Sequence, residues 1–133
     1  MRDNQQTSLS EMADSTHSAM SFLGPLMILL KRGNATYQSY LANGKTFLYA
    51  KILKDNNERI RTLILEKSHL LPLEYQDYAI DLVAHIDVWH ALWMDLSDRR
   101  SYQLTDEFVF ENKVRFPAAS VEALSELYLK MKK

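Results

Sequence analysis

Hydrophobic residues recur at steps of three and four along most of this chain, which is the spacing that aligns side chains on one face of an α-helix. The clearest run covers residues 73–96, and neither glycine nor proline interrupts it. Its apolar positions are Tyr75, Ala79, Leu82, Ile86, Trp89, Trp93 and Leu96. We therefore predict a long third helix at the centre of the fold.

Two less regular stripes precede this run. The first extends from Leu9 to Leu30, and Pro25 within it predicts that the first helix is kinked or split at that point. Gly33 is expected to end the first helix, and a second helix would then begin after Asn34 and stop before Pro72. Residues 55–57 are poor helix formers, so the second helix either breaks there or continues with Asn56 on its apolar face.

The helical spacing is lost over residues 97–116, where Phe108, Phe110 and Phe116 predict an irregular connector that packs onto the helices. Pro117 suits the first position of a last helix, whose apolar stripe is Val121, Leu124, Tyr128 and Met131. The sequence thus predicts a single all-α domain over residues 1–133, with residues 1–7 disordered. Its fold would be a compact helical bundle of four or five helices with a long central third helix.

Composition excludes several classes of protein. The 133 residues include no cysteine, which rules out disulfide scaffolds and cysteine-ligated metals. The 16 basic and 17 acidic side chains give a net charge of -1, so there is no excess of positive charge to bind nucleic acid. His85 and His90 lie about 140° apart around a helix and cannot share one metal ion. We expect no metal, no cofactor and no nucleic-acid partner.

Charge is distributed unevenly between the predicted helices. Residues 71–98 carry six acidic side chains and no lysine or arginine, whereas residues 45–67 are net positive. Opposite charges along the sides of two consecutive helices favour their antiparallel packing, although each exposed ion pair adds little stability.

The longest apolar run, residues 22–30, is nine residues long, whereas a membrane-spanning helix needs roughly 20. No basic segment precedes this run, as a secretion signal would require. We therefore expect a cytoplasmic protein without a membrane span.

Polar residues beside aromatic ones are the candidates for a pocket. Helical spacing would allow Asn56 and Arg59 to face Asp81, His85 and Trp89. Asp81 precedes His85 by four residues, so we expect the carboxylate to contact the imidazole and to raise its pKa. No catalytic motif accompanies these residues, and we name none of them as catalytic.

The run at residues 22–30 is apolar around the whole helix and exceeds what one small bundle needs to bury. Phe22, Ile28 and Leu29 are therefore candidates for an interface. The favoured expectation is a non-enzymatic interaction or accessory module that forms a homodimer or binds another protein. The alternative is a small-molecule-binding bundle, or an enzyme, with a pocket near Trp89 and His85.

Overall fold

The computed structural model describes the backbone of residues 2–112 and 114–133, and the side chains of residues 9–112 and 114–133. The fold is all-α, as predicted, with 79% of the residues in helices. The described helices are α1 (Arg2–Ala42), α2 (Phe47–Lys67), α3 (Leu73–Ser97) and α4 (Ala118–Lys132), with a short 3₁₀ turn at Ser68–Leu70. Residues 1–7, for which we predict disorder, lie outside the range whose side chains the structure describes, so their disorder stays a prediction.

The four helices pack in a ring. α1 and α3 lie diagonally opposite, and each contacts α2 on one side and α4 on the other. Short connections make α1, α2 and α3 successively antiparallel. The main core fills the centre of the ring with fully or nearly buried apolar side chains, among them Phe22, Leu23, Leu26, Ile60, Ile64, Leu82, Ile86 and Leu124.

The first helix is longer than predicted. α1 continues through Pro25, so it is not split there. Pro25 and Ser21 are both exposed, and the Ser21 carbonyl, which loses its helical partner at the proline, therefore lies on the side of the helix that faces water. α1 also continues through Gly33, so the prediction that Gly33 ends the helix is wrong.

The true end of α1 lies ten residues further along, in the turn at residues 43–46. Gly44 has a φ of +80° and Lys45 a φ of +54°, and these left-handed conformations reverse the chain. α2 therefore begins at Phe47, and not after Asn34 as predicted.

α2 and α3 match their predicted patterns more closely. α2 runs unbroken through residues 55–57, and Asn56 is completely buried on its apolar face. α3 is a long uninterrupted helix at the predicted position. Arg61 Nε of α2 lies 2.6 Å from Asp87 Oδ1 of α3, so the opposite charges of the two helices do meet across the antiparallel pair.

None of the described helices combines the length and the apolar character that a membrane-spanning segment needs.

Candidate ligand-binding cavity

The bundle is incomplete at one end because α4 is shorter than its neighbours. α4 has 15 residues, compared with 25 in α3, so the connector, which spans residues 98–117 in the structure, takes its place beside the second half of α3. The connector runs antiparallel to α3, and its aromatic rings contact that helix at three points. Phe108 packs against Trp93, Phe110 against Trp89, and Phe116 against His85. The predicted packing of connector aromatics onto the bundle is confirmed.

An extended connector fills less volume than a helix would, and a cavity of about 720 Å³ remains behind it. α1, α2, α3 and the connector form its walls, and the first turn of α4 forms its lower edge. Most of the lining is aromatic or aliphatic. The apolar lining includes Leu30, Tyr37, Tyr40, Leu53, Ile60, Leu82, Ile86, Trp89, Trp93, Phe108, Phe110, Phe116 and Val121.

The mouth of the cavity lies between the second half of α1 and the connector. Tyr37 and Leu41 on α1 are exposed, and so are Val109 and Phe116 on the connector, although all four contribute to the lining. Large apolar side chains at an opening are unusual on a surface that contacts only water. Together they give the cavity an apolar entrance.

An aromatic cluster closes the upper end of the cavity. Trp93 and Phe108 are almost fully buried, with their ring centroids 4.9 Å apart, and Phe47 packs against both. The Trp93 indole N–H donates a hydrogen bond to the Ala50 carbonyl at 3.1 Å. The Tyr40 hydroxyl donates to the Phe108 carbonyl, which fastens the connector to α1. Hydrogen bonds and ring packing therefore hold this end of the cavity wall in place.

Asn56 lies on the α2 wall and joins it to α1. Its Nδ2 donates to the Leu29 carbonyl at 2.9 Å, and its Oδ1 accepts from Arg32 Nη1 at 3.1 Å. A Cβ on Gly33 would lie only 2.7 Å from Asn56 Nδ2, so glycine at this position allows the amide to reach the α1 backbone. Gly33 therefore allows close approach between two helices from a position inside α1, and it does not serve as a helix end.

His85 lies on the α3 wall with 8% of its surface exposed. Its Nδ1 is buried and has no hydrogen-bond partner among the residues that the structure describes. Burial lowers the pKa of His85 below its ordinary value, and an interaction with the Arg115 backbone only partly opposes this effect. The ring is therefore neutral at neutral pH.

Two of the five predicted pocket residues lie elsewhere. Arg59 is exposed on the outer side of α2, where its Nε lies 2.9 Å from Asp55 Oδ2. Asp81 is exposed too, and it accepts a hydrogen bond from Ser120 Oγ at 2.9 Å. The expected contact between Asp81 and His85 is absent because the carboxylate turns toward α4 while the imidazole turns inward. The expected rise in the pKa of His85 is accordingly wrong.

The structure does bring Asn56, His85 and Trp89 together around one cavity. The sequence pattern does not predict the contribution of α1, because a helix boundary at Gly33 assigns Tyr37 and Tyr40 to the second helix. The Asn43-Gly44 pair is the signal that would have moved the helix boundary and shown both tyrosines on α1.

The interface candidates differ sharply in exposure. Phe22 is fully buried in the core and cannot contribute to a contact surface, because it faces the centre of the ring. Leu29 is partly buried against the same core, whereas Ile28 is 67% exposed. Within the described residues, no group of three or more histidine or acidic side chains is placed to hold a metal ion.

Comparison with protein-family models, curated proteins and solved structures finds no significant match to this chain.

Proposed function

We propose that this protein binds a small, largely apolar organic molecule in the cavity between α1, α2, α3 and the connector. The observation that carries the proposal is the cavity itself, with a volume of about 720 Å³ and a largely apolar lining that is rich in aromatic side chains. Ligand sites in proteins are typically concave, of about 300–1,000 Å³, and lined by apolar side chains with a few polar groups.

The rest of the bundle supports this interpretation by contrast. Around Phe22, Leu26 and Ile64 the ring is closed, and these side chains are completely buried. A protein whose only requirement was stability would gain by filling the other end as well, because unfilled interior volume weakens a core. The cavity lies where α4 is absent, and the connector spans it with aromatic side chains at the entrance.

The first test is a titration with N-phenyl-α-naphthylamine, a neutral probe whose fluorescence rises in apolar surroundings. We expect saturable binding with one site per chain. Leu53, on the α2 wall, is the position at which to obstruct the cavity, and Leu53→Trp should weaken probe binding by at least about tenfold because the indole takes up space inside it. The probe is excited at its own absorption band, so the added tryptophan does not disturb the measurement.

The matched control is Leu65→Trp. Leu65 lies on the same helix but is 53% exposed and does not line the cavity, so this variant should bind the probe as the wild type does. Equal weakening in both variants, or no binding by the wild type, would reject the proposal.

Self-association is a second candidate function, supported by the exposure of Ile28. Its side chain is 67% exposed on the outer face of α1, and the residues one turn earlier, Gly24 and Pro25, carry no charge. Ile28 and these two residues form a small uncharged patch, bounded one turn later by the exposed Lys31 and Arg32, and such a patch can form the centre of a two-fold contact with a second copy of the chain.

We predict a homodimer at micromolar concentration, and Ile28→Glu should make it monomeric while leaving the helical content unchanged. A charge at an exposed position does not disturb the core, but it opposes burial in an interface. Light scattering gives the mass, and circular dichroism gives the helical content. A wild-type chain that stays monomeric at high concentration would rule out the dimer and would leave cavity binding unaffected.

A further inference from the structure

This inference rests on the proposed function and concerns the chemistry of the ligand. Several polar side chains along the cavity wall already have partners within the protein. Both ends of the Asn56 amide, the Trp93 indole N–H and the Tyr40 hydroxyl are hydrogen-bonded. Nδ1 of His85 differs from them because it has no partner among the described residues.

Buried polar atoms in folded proteins nearly always have a hydrogen-bond partner, so each exception calls for an explanation. His85 is more than nine-tenths buried, and its ring lines the cavity beside Phe116, whose ring meets it edge-on at 5.4 Å. Nδ1 itself is shielded from solvent, so a polar group on a molecule inside the cavity would complete its hydrogen bonding once the imidazole ring turns toward that molecule.

The electrostatic surroundings favour a neutral group over a charged one. Burial lowers the pKa of His85, so the imidazole carries no charge with which to hold an anion at neutral pH. No acidic side chain is among the described residues that line the cavity, so a cationic group would have no counterion there. Lys45 is the only lysine or arginine among those lining residues, and it is exposed.

We propose that the ligand is an uncharged, ring-containing molecule with one hydroxyl group, and that this hydroxyl exchanges a hydrogen bond with Nδ1 of His85. A neutral imidazole carries its proton on either nitrogen, so Nδ1 either donates or accepts. A hydroxyl group can do both and therefore pairs with either form. The aromatic lining, including Trp89 and Phe110, would contact the rings of the ligand.

The test compares β-naphthol with β-methylnaphthalene, which has nearly the same shape but replaces the hydroxyl with a methyl group. Each compound displaces N-phenyl-α-naphthylamine from the wild type and from His85→Leu at neutral pH. For each protein we take the ratio of the dissociation constants of the two compounds. Comparing this ratio between the wild type and His85→Leu cancels the difference in water solubility between the compounds, because that difference is the same in both proteins.

We expect His85→Leu to shift the ratio by about two- to tenfold in favour of β-methylnaphthalene, the effect of one net hydrogen bond. His85→Gln retains a hydrogen-bonding group, so it should keep more of the preference for β-naphthol over β-methylnaphthalene than His85→Leu does. An independent readout uses the wild type alone: the ring-nitrogen NMR signal of His85 should move on addition of β-naphthol and stay in place with β-methylnaphthalene. This readout decides the matter if His85→Leu does not fold.

An unchanged ratio together with an unmoved His85 signal would overturn the inference, and continued displacement of the probe by both compounds would leave the proposed function standing. Tighter binding of β-naphthoate than of β-naphthol would also overturn it, because an anionic ligand near Lys45 would then be favoured. If the probe itself does not bind, the proposed function fails and this inference fails with it.

Discussion

Trp93→Ala should lower the free energy of unfolding by about 3–5 kcal/mol, as removal of a large buried aromatic side chain usually does. Trp93 is only 5% exposed, and it packs against Phe47 and Phe108. Its loss also removes the indole hydrogen bond to Ala50, and Lys54 loses the ring over which its ammonium lies. Urea denaturation followed by circular dichroism measures the effect.

Trp89→Ala is the matched comparison. Trp89 lies one turn earlier on α3, but it is only half-buried, and one side of it lines the cavity. Its removal should destabilise the protein by about 2 kcal/mol, because fewer packing contacts are lost. Equal losses for the two tryptophans would contradict the assignment of Trp93 to the tightly packed aromatic cluster and of Trp89 to a less tightly packed part of the cavity wall.

Gly33→Ala should also destabilise the protein, by about 1–5 kcal/mol, although alanine is the better helix former. The helix propensity of alanine favours the substitution by about 1 kcal/mol. The new Cβ would lie 2.7 Å from Asn56 Nδ2, and the amide cannot retreat without stretching its hydrogen bonds to Leu29 and Arg32. Overpacking and weakened buried hydrogen bonds each cost about 1–3 kcal/mol, so the unfavourable effects outweigh the gain.

Two further variants isolate this contact. Gly24→Ala changes the same helix where no atom lies within 4 Å of the new Cβ, and it should shift stability by less than about 1 kcal/mol. The gain in helix propensity is smaller at position 24 because Pro25 follows it, and a residue with a Cβ is sterically restricted in a helix when it precedes a proline. In an Asn56→Ala background, Gly33→Ala should become neutral or stabilising. A persistent loss in that background would show that Asn56 is not the obstacle.

The third helix could be predicted from sequence because its apolar spacing is regular and no residue competes with it. The first helix could not, since Gly33-Asn34 and Asn43-Gly44 are both good signals for a helix end. Gly33 serves another purpose, close approach to Asn56, and this depends on a partner 23 positions away in the sequence. Helix periodicity does not carry that information.

The candidate site was only partly predictable for a related reason. His85 and Trp89 share one face of α3, so their proximity follows from helical spacing. The cavity beside them depends on where α4 begins and on the path of the connector, and both are set by packing between distant parts of the chain. The prediction that Arg59 lines the pocket is wrong because its side chain lies on the outer face of α2, where it pairs with Asp55.

Both tryptophans of the chain line the cavity, so their two indole N–H signals report on it directly in a proton–nitrogen correlation NMR spectrum. The most direct test of cavity binding is to record this spectrum during a titration with N-phenyl-α-naphthylamine. We expect both signals to shift and to saturate together at one equivalent, while the backbone signal of exposed Leu65 stays in place. Indole signals that remain unchanged at saturating probe would contradict the account.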